Sequence, residues 1–204
     1  MSKLSRIFIL ISSLLMSTTL FAPLWFIELF APQYPEGLGM QIWSNRITGD
    51  VDNINILNHY IGMKHIIPNE IPELRILPTI FLVIVISGLL TALFNSKILM
   101  RIWVAFFLVS GGIAFGDFYM WEYNYGHDLN PDAPIKVPGM HYQPPLIGSK
   151  TLLNISAYSY PDIAGVCVFI AIALAILALF DKKLLQLKYF KGLASVMLLG
   201  FFFR

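Results

Sequence analysis

The stretch ILPTIFLVIVISGLLTALF (76–94), followed by NSK (95–97) and ILMRIWVAFFLVSGGIAFGDF (98–118), decides how this chain is read. Two long apolar runs flank three polar residues. About 20 apolar residues of helix cross a bilayer core of about 30 Å. Backbone groups in lipid must bond within their own segment, so helix is the expected form. Arg101 lies near the start of the second run and Asp117 near its end. The polar triplet reads as a tight turn, and the whole as a helical hairpin.

Working outward, Ile7–Phe26 is a further apolar run without a charge, and Ile163–Phe180 is another. A shorter one, Leu193–Phe203, reads as a half-span, an interfacial helix, or a full span that starts within 184–191. In the last case Lys188 and Lys191 snorkel to the headgroups. The expected fold is an all-α membrane protein of four to five transmembrane helices. They form two helical hairpins with two long folded periplasmic loops, about 27–75 and 119–161. Residues 1–204 make a single integral membrane domain, with the loops packing on each other as a cap. The first run has a basic start, Lys3 and Arg6, like a signal peptide. Its apolar stretch is long for one, and Pro23 and Trp25 occupy the place of a small-residue cleavage site, so it is read as a retained span.

Composition agrees. Hydrophobic residues make up 57% of the chain and charged residues 13%, with mean hydropathy +0.70. Soluble domains carry roughly 45–50% and about 25%. Net charge is +2, with no basic tract, which gives no basis for nucleic-acid binding. The single cysteine, Cys167, sits in an apolar run and has no partner for an intramolecular disulfide. It reads as a small packing residue.

Basic residues set the expected orientation. Lys3, Arg6, Lys97, Arg101, Lys182, Lys183, Lys188 and Lys191 cluster in short segments on one side. Arg46, Lys64, Arg75, Lys136 and Lys150 are spread through the two long loops. The positive-inside rule then places the N-terminus in the cytoplasm and the loops in the periplasm, in a multi-pass inner-membrane protein. Trp25, Trp43 and Trp121 fall near the outer ends, as in an aromatic belt, while Trp103 stands at the inner end of the third span.

Both loops are rich in Pro, Gly, Asn, Tyr and Trp, unlike a disordered tail, which lacks aromatics. Long loops of this kind tend to be folded and functional. The piece 33–40 reads as a turn and then an extended or interfacial segment. Pro131, Pro134, Pro138, Pro144 and Pro145 hold the second loop extended.

All four histidines, His59, His65, His127 and His141, fall in these loops, and none in a span. A haem held by paired transmembrane histidines is therefore excluded on ligand grounds. Met40, Met63, Met120 and Met140 lie in or at the mouth of the loops. Imidazole and thioether together suit copper, Cu(I) above all. His59, Met63 and His65 fall within seven residues. If that piece is helical, His59 and Met63 share a face. The candidate metal ligands are thus His59, Met63, His65, Met140 and His141, with His127 and Met40 beside them. The plain alternative is that these are structural polar and apolar groups.

Glu28, Asp117, Glu122 and Asp162 stand at outer helix ends, as part of an ion path or simply as helix-end residues. There is no Gly-x-Ser-x-Gly, His-Glu-x-x-His, Walker loop or GxGxxG. No catalytic or organic-cofactor residues are assigned, and a non-enzymatic role is expected.

Three loop phrases, APQYPEGLGM (31–40), NHYIGM (58–63) and MHYQPPLIG (140–148), together with Trp121-Glu122-Tyr123, carry a resemblance. They resemble a family of small polytopic membrane proteins encoded with nitrous-oxide reductase maturation genes, in clusters of the Bacteroidota type. That resemblance implies a role beside a periplasmic copper enzyme of denitrification. The expected function is copper handling during its maturation, with a periplasmic or membrane protein partner and the lipid bilayer as surroundings. A non-catalytic anchor or scaffold docking a periplasmic partner is the alternative, and a small transporter the third. Copper handling requires the loop ligands to converge; a transporter requires a polar path that these spans barely offer.

Overall fold

The computed structural model describes residues 1–137, 139 and 141–186. Along the chain come α1 (Lys3–Ser17), β1 (Trp25–Ala31), β2 (Tyr34–Ile42), β3 (Ile47–Gly49), α2 (Val51–Ile61), α3 (Glu73–Phe94) and α4 (Lys97–His127). They are followed by β4 (Gly148–Leu152), β5 (Ile155–Pro161) and α5 (Ile163–Gln186). Leu193–Phe203 and Met140 lie outside the described residues.

The protein is mixed α and β, which corrects the all-α expectation. Among the described residues five strands form one antiparallel sheet in the order β3-β2-β1-β5-β4. Pairing of β1 with β5 joins the first long loop to the second, with Phe26 opposite Tyr160 and Glu28 opposite Tyr158. The physical reason lies in a period of two. Trp25, Ile27 and Ala31 are buried on one face, while Phe26, Glu28 and Phe30 occupy the other. A helix does not sort those residues so.

The first apolar run therefore breaks before its expected end. Helix α1 stops at Ser17, and one 3-10 turn, Thr18–Leu20, follows. Ser17, Thr18 and Thr19 turn their hydroxyls back onto the carbonyls of Leu14, Leu15 and Met16. Such back-bonding satisfies the end of a helix, and Pro23 blocks continuation. Trp25 and Phe26 go to the sheet.

Glycine sets the outer face of β2. A Cβ at Gly39 would stand 3.2 Å from the Phe26 ring, and one at Gly37 would stand 2.9 Å from the Phe30 ring. Each ring lies across a residue that has no side chain to displace it. Gly37 also has φ +88°, open to glycine at no steric cost.

The helices pack by close approach of small residues. Ser5 Oγ donates to Ala178 O at 2.9 Å, and Ser12 Oγ donates to Ala171 O at 2.8 Å, tying α1 to α5. Trp103 of α4 donates its indole N–H to Ile84 O of α3 at 2.9 Å. Gly88 makes room for that ring: a Cβ there would stand 2.8 Å from it and would also collide with Ser13 Oγ. Trp103 is thus a packing and hydrogen-bonding residue. The turn between α3 and α4 is as tight as the polar triplet implies. Asn95 adopts φ 52°, and Ser96 caps α4 by accepting from the Leu99 N–H.

Segments Lys3–Leu20, Glu73–Phe94 and Lys97–His127 are long and apolar enough to cross a membrane, and Ile163–Leu179 is a shorter apolar helix. At 1.5 Å per residue α4 is about 46 Å long, more than a bilayer core needs. Residues 119–127, read above as the start of the second loop, continue this helix, so His127 lies on α4 and not in a loop, and this C-terminal part packs against the sheet. There Phe118, Trp121 and Tyr125 pack on a core of Trp25, Ile27, Leu38, Met40, Ile54 and Leu57.

Candidate functional site

Helix α2 carries Asp52, Asn55, Ile56, His59 and Tyr60. Its end is fixed by Gly62, which takes φ +81° as a left-handed cap. A Cβ at Gly62 would meet Ala133 Cβ at 2.9 Å and Asn130 O at 3.0 Å, so space as well as dihedral demands glycine. Beyond this cap the chain doubles back along its own helix.

Two asparagines hold it there. Asn55 donates from Nδ2 to Ile66 O at 3.0 Å and accepts the Ile66 N–H at Oδ1 at 2.7 Å. Asn58 Nδ2 donates to Lys64 O at 3.3 Å. From α4, Tyr125 donates its hydroxyl to His65 O at 2.9 Å. These bonds bring His65 beside His59, with ring centroids 6.2 Å apart and planes at 73°. Together with Asp52, Asn55, Ile56 and Tyr60 they line an open concavity of about 400 Å³.

The other candidate ligands go elsewhere. The left-handed turn at Gly62 takes Met63 off the helix, so it does not share the face of His59. Met63 packs instead with Ile61, Leu129 and Tyr142. Met40 is 3% exposed in the sheet core. His127 and His141 form a separate pair. Their rings stack with centroids 4.2 Å apart and planes at 26°, and Tyr123 stacks on the far side of His127 at 3.9 Å. His127 Nδ1 lies 2.9 Å from Tyr123 O, so the ring donates to that carbonyl. Ring lone pairs lie in the ring plane. Two stacked imidazoles therefore do not aim at one point; the His59 and His65 rings, 6.2 Å apart with planes at 73°, are not stacked on each other. Met140 lies outside the described residues. Among the described residues no group of three or more His, Cys, Asp or Glu comes together as a metal cage.

The loop after α4 is tied to the same region. Asn130 N–H donates to Gly62 O at 2.7 Å, and Ile135 N–H donates to Tyr60 O at 2.9 Å. An exposed ion pair joins Lys64 to Asp128; at such exposure it contributes little to stability. Near the end of α4, Glu122 is fully buried and neither carboxyl oxygen has a hydrogen-bond partner. The buried Tyr142 hydroxyl likewise has none.

The sequence grouped His59, Met63 and His65 within seven residues; the structure brings the two histidines near each other and takes Met63 away. The positioning residues Asn55, Asn58 and Tyr125 carried no signal in the sequence beyond the Asn-x-x-Asn spacing on one helix face. No protein-family model and no curated protein matches this chain.

Proposed function

We propose that the protein is a multi-pass inner-membrane protein whose periplasmic cap holds Cu(I) transiently between His59 and His65 and passes it on during maturation of a periplasmic copper enzyme. The observation that carries this reading is the separation of the two rings, 6.2 Å between centroids, in an open concavity. With metal–nitrogen bonds of about 2.0 Å, two imidazoles on opposite sides of one ion stand about 6 Å apart, centre to centre. Imidazole nitrogen is a copper ligand, and a site with two ligands and an open rim suits release rather than storage. Copper is cargo here. Asn55, Asn58 and Tyr125 do the positioning, as outer groups around metal ligands commonly do. The resemblance to proteins encoded with nitrous-oxide reductase maturation genes supports the same reading.

Docking of a periplasmic partner is the second reading, favoured by the rim of the same concavity. Ile56 and Tyr60 are each 48% exposed beside the histidines. Apolar surface of this kind suits contact with another protein, and handover of an ion calls for such contact.

Two experiments test the proposal. Alkaline carbonate extraction of cells producing the protein leaves it in the membrane pellet; recovery in the supernatant refutes the membrane assignment. Anaerobic Cu(I) titration against a chromogenic chelator shows competition by the wild type that is lost in the double variant His59→Ala/His65→Ala. Failure of the wild type to compete removes the copper function and leaves the docking reading.

A further inference from the structure

A second concavity, of about 330 Å³, lies at the opposite face of the sheet from the core. It is lined by Phe26, Gln41, Tyr160, Pro161 and Asp162. Register fixes its height in the fold. Trp25 pairs with Ile42 on one side and with Pro161 on the other. Asp162 N–H donates to Leu24 O, and Ala164 N–H donates to Pro23 O. The concavity therefore sits where the chain leaves α1 and enters α5, level with the ends of those apolar helices. Phe21, 78% exposed, stands at the same level.

Its chemistry is specific. Two aromatic rings and one carboxylate line a single space, the combination that recognises an ammonium group. Asp162 accepts the Ile163 N–H at Oδ1 and the Gln41 amide at Oδ2, so its position is fixed. A cation stands close by on the same face. Trp43 lies two residues beyond Gln41, and its indole N–H donates to Thr48 Oγ1 at 2.9 Å. Thr48 is the cross-strand neighbour of Gln41. Arg46 lies 4.0 Å over the Trp43 ring.

We propose that this face binds a zwitterionic phospholipid headgroup, its ammonium at Asp162 between Phe26 and Tyr160 and its phosphate toward Arg46. The inference rests on the membrane reading above and is independent of copper. Tryptophan and arginine at such a level fit the interfacial belt of membrane proteins.

The test uses copper-free protein in detergent with equimolar phosphatidylethanolamine and phosphatidylglycerol, and native mass spectrometry to count retained lipids. Wild type retains the ethanolamine lipid in preference by about fivefold. Asp162→Asn, which keeps an oxygen acceptor, and Tyr160→Leu, at an exposed strand position, bring the ratio close to one. Soluble phosphoethanolamine displaces the retained lipid. Equal retention of the two lipids by the wild type overturns the proposal, and so does a preference that both variants keep. Carbonate extraction separates the failures. A chain that stays in the pellet without lipid preference loses this site alone, while a chain released to the supernatant loses the membrane reading with it.

Discussion

Asn55 holds both backbone groups of Ile66, donating to its carbonyl at 3.0 Å and accepting its N–H at 2.7 Å. One side chain thereby replaces the pairing that a second strand would give, and it folds the segment after α2 back until His65 faces His59. The histidine pair is a consequence of that clamp. Asn55→Ala releases the segment while leaving both histidines in the chain. Cu(I) affinity is expected to fall about tenfold, as for other outer-shell losses at metal sites. Chelator competition measures it, and an unchanged affinity would mean that the clamp does not set the site.

Gly62 is the second hinge of the same arrangement. A methyl group there faces Ala133 and Asn130 at 3.0 Å or less, in a left-handed conformation. Gly62→Ala is expected to destabilise the protein by upwards of about 1 kcal/mol. For a chain of this size that lowers the thermal midpoint by roughly 2–4 °C per kcal/mol. A midpoint equal to the wild type would show that the loop after α4 yields freely.

Gly88 tests the helix packing in the same way. Its missing side chain admits the Trp103 ring and Ser13. Gly88→Ala overpacks three helices at once, and the expected cost is about 1–3 kcal/mol. Trp103→Phe keeps most of the volume and loses the bond to Ile84 O, which is worth about 1 kcal/mol. Thermal unfolding in detergent ranks the two; a larger loss for Trp103→Phe would contradict the steric account.

Glu122 points the other way. A buried carboxyl without hydrogen-bond partners is a cost to the fold, and an apolar residue of similar length removes it. Glu122→Met is expected to stabilise the protein by about 1–3 kcal/mol. A lower midpoint would show that the carboxyl makes an interaction that matters to the fold.

The sequence disclosed α3, α4 and α5 because each apolar run carries its own evidence of length, and the turn at Asn95–Lys97 because three polar residues leave no alternative; α2 lies within the stretch read as the first loop and has no such run, and α1 ends earlier than its apolar run does. The sheet was hidden for a physical reason. Trp25–Ala31 follows an apolar run with little change of composition, and only the alternation of Trp25 and Ile27 with Phe26 and Glu28 separates strand from helix. Phe26 over Gly39 and Phe30 over Gly37 are cross-strand relations, invisible in either stretch alone. At the site, the spacing of His59 and His65 was legible. That Met63 leaves them was decided by one left-handed glycine. That His127 stacks on His141 was decided by the path of a loop between them, which no local pattern records.

The central claim is that His59 and His65, and not His127 and His141, hold Cu(I). Anaerobic titration of the purified protein against a chromogenic Cu(I) chelator tests it most directly. Wild type, His59→Ala/His65→Ala, His127→Ala/His141→Ala and Met63→Ala are compared. The account predicts competition by the wild type and by the last two variants, and none by the first double variant. Absence of competition by the wild type would contradict it, as would a loss confined to His127→Ala/His141→Ala.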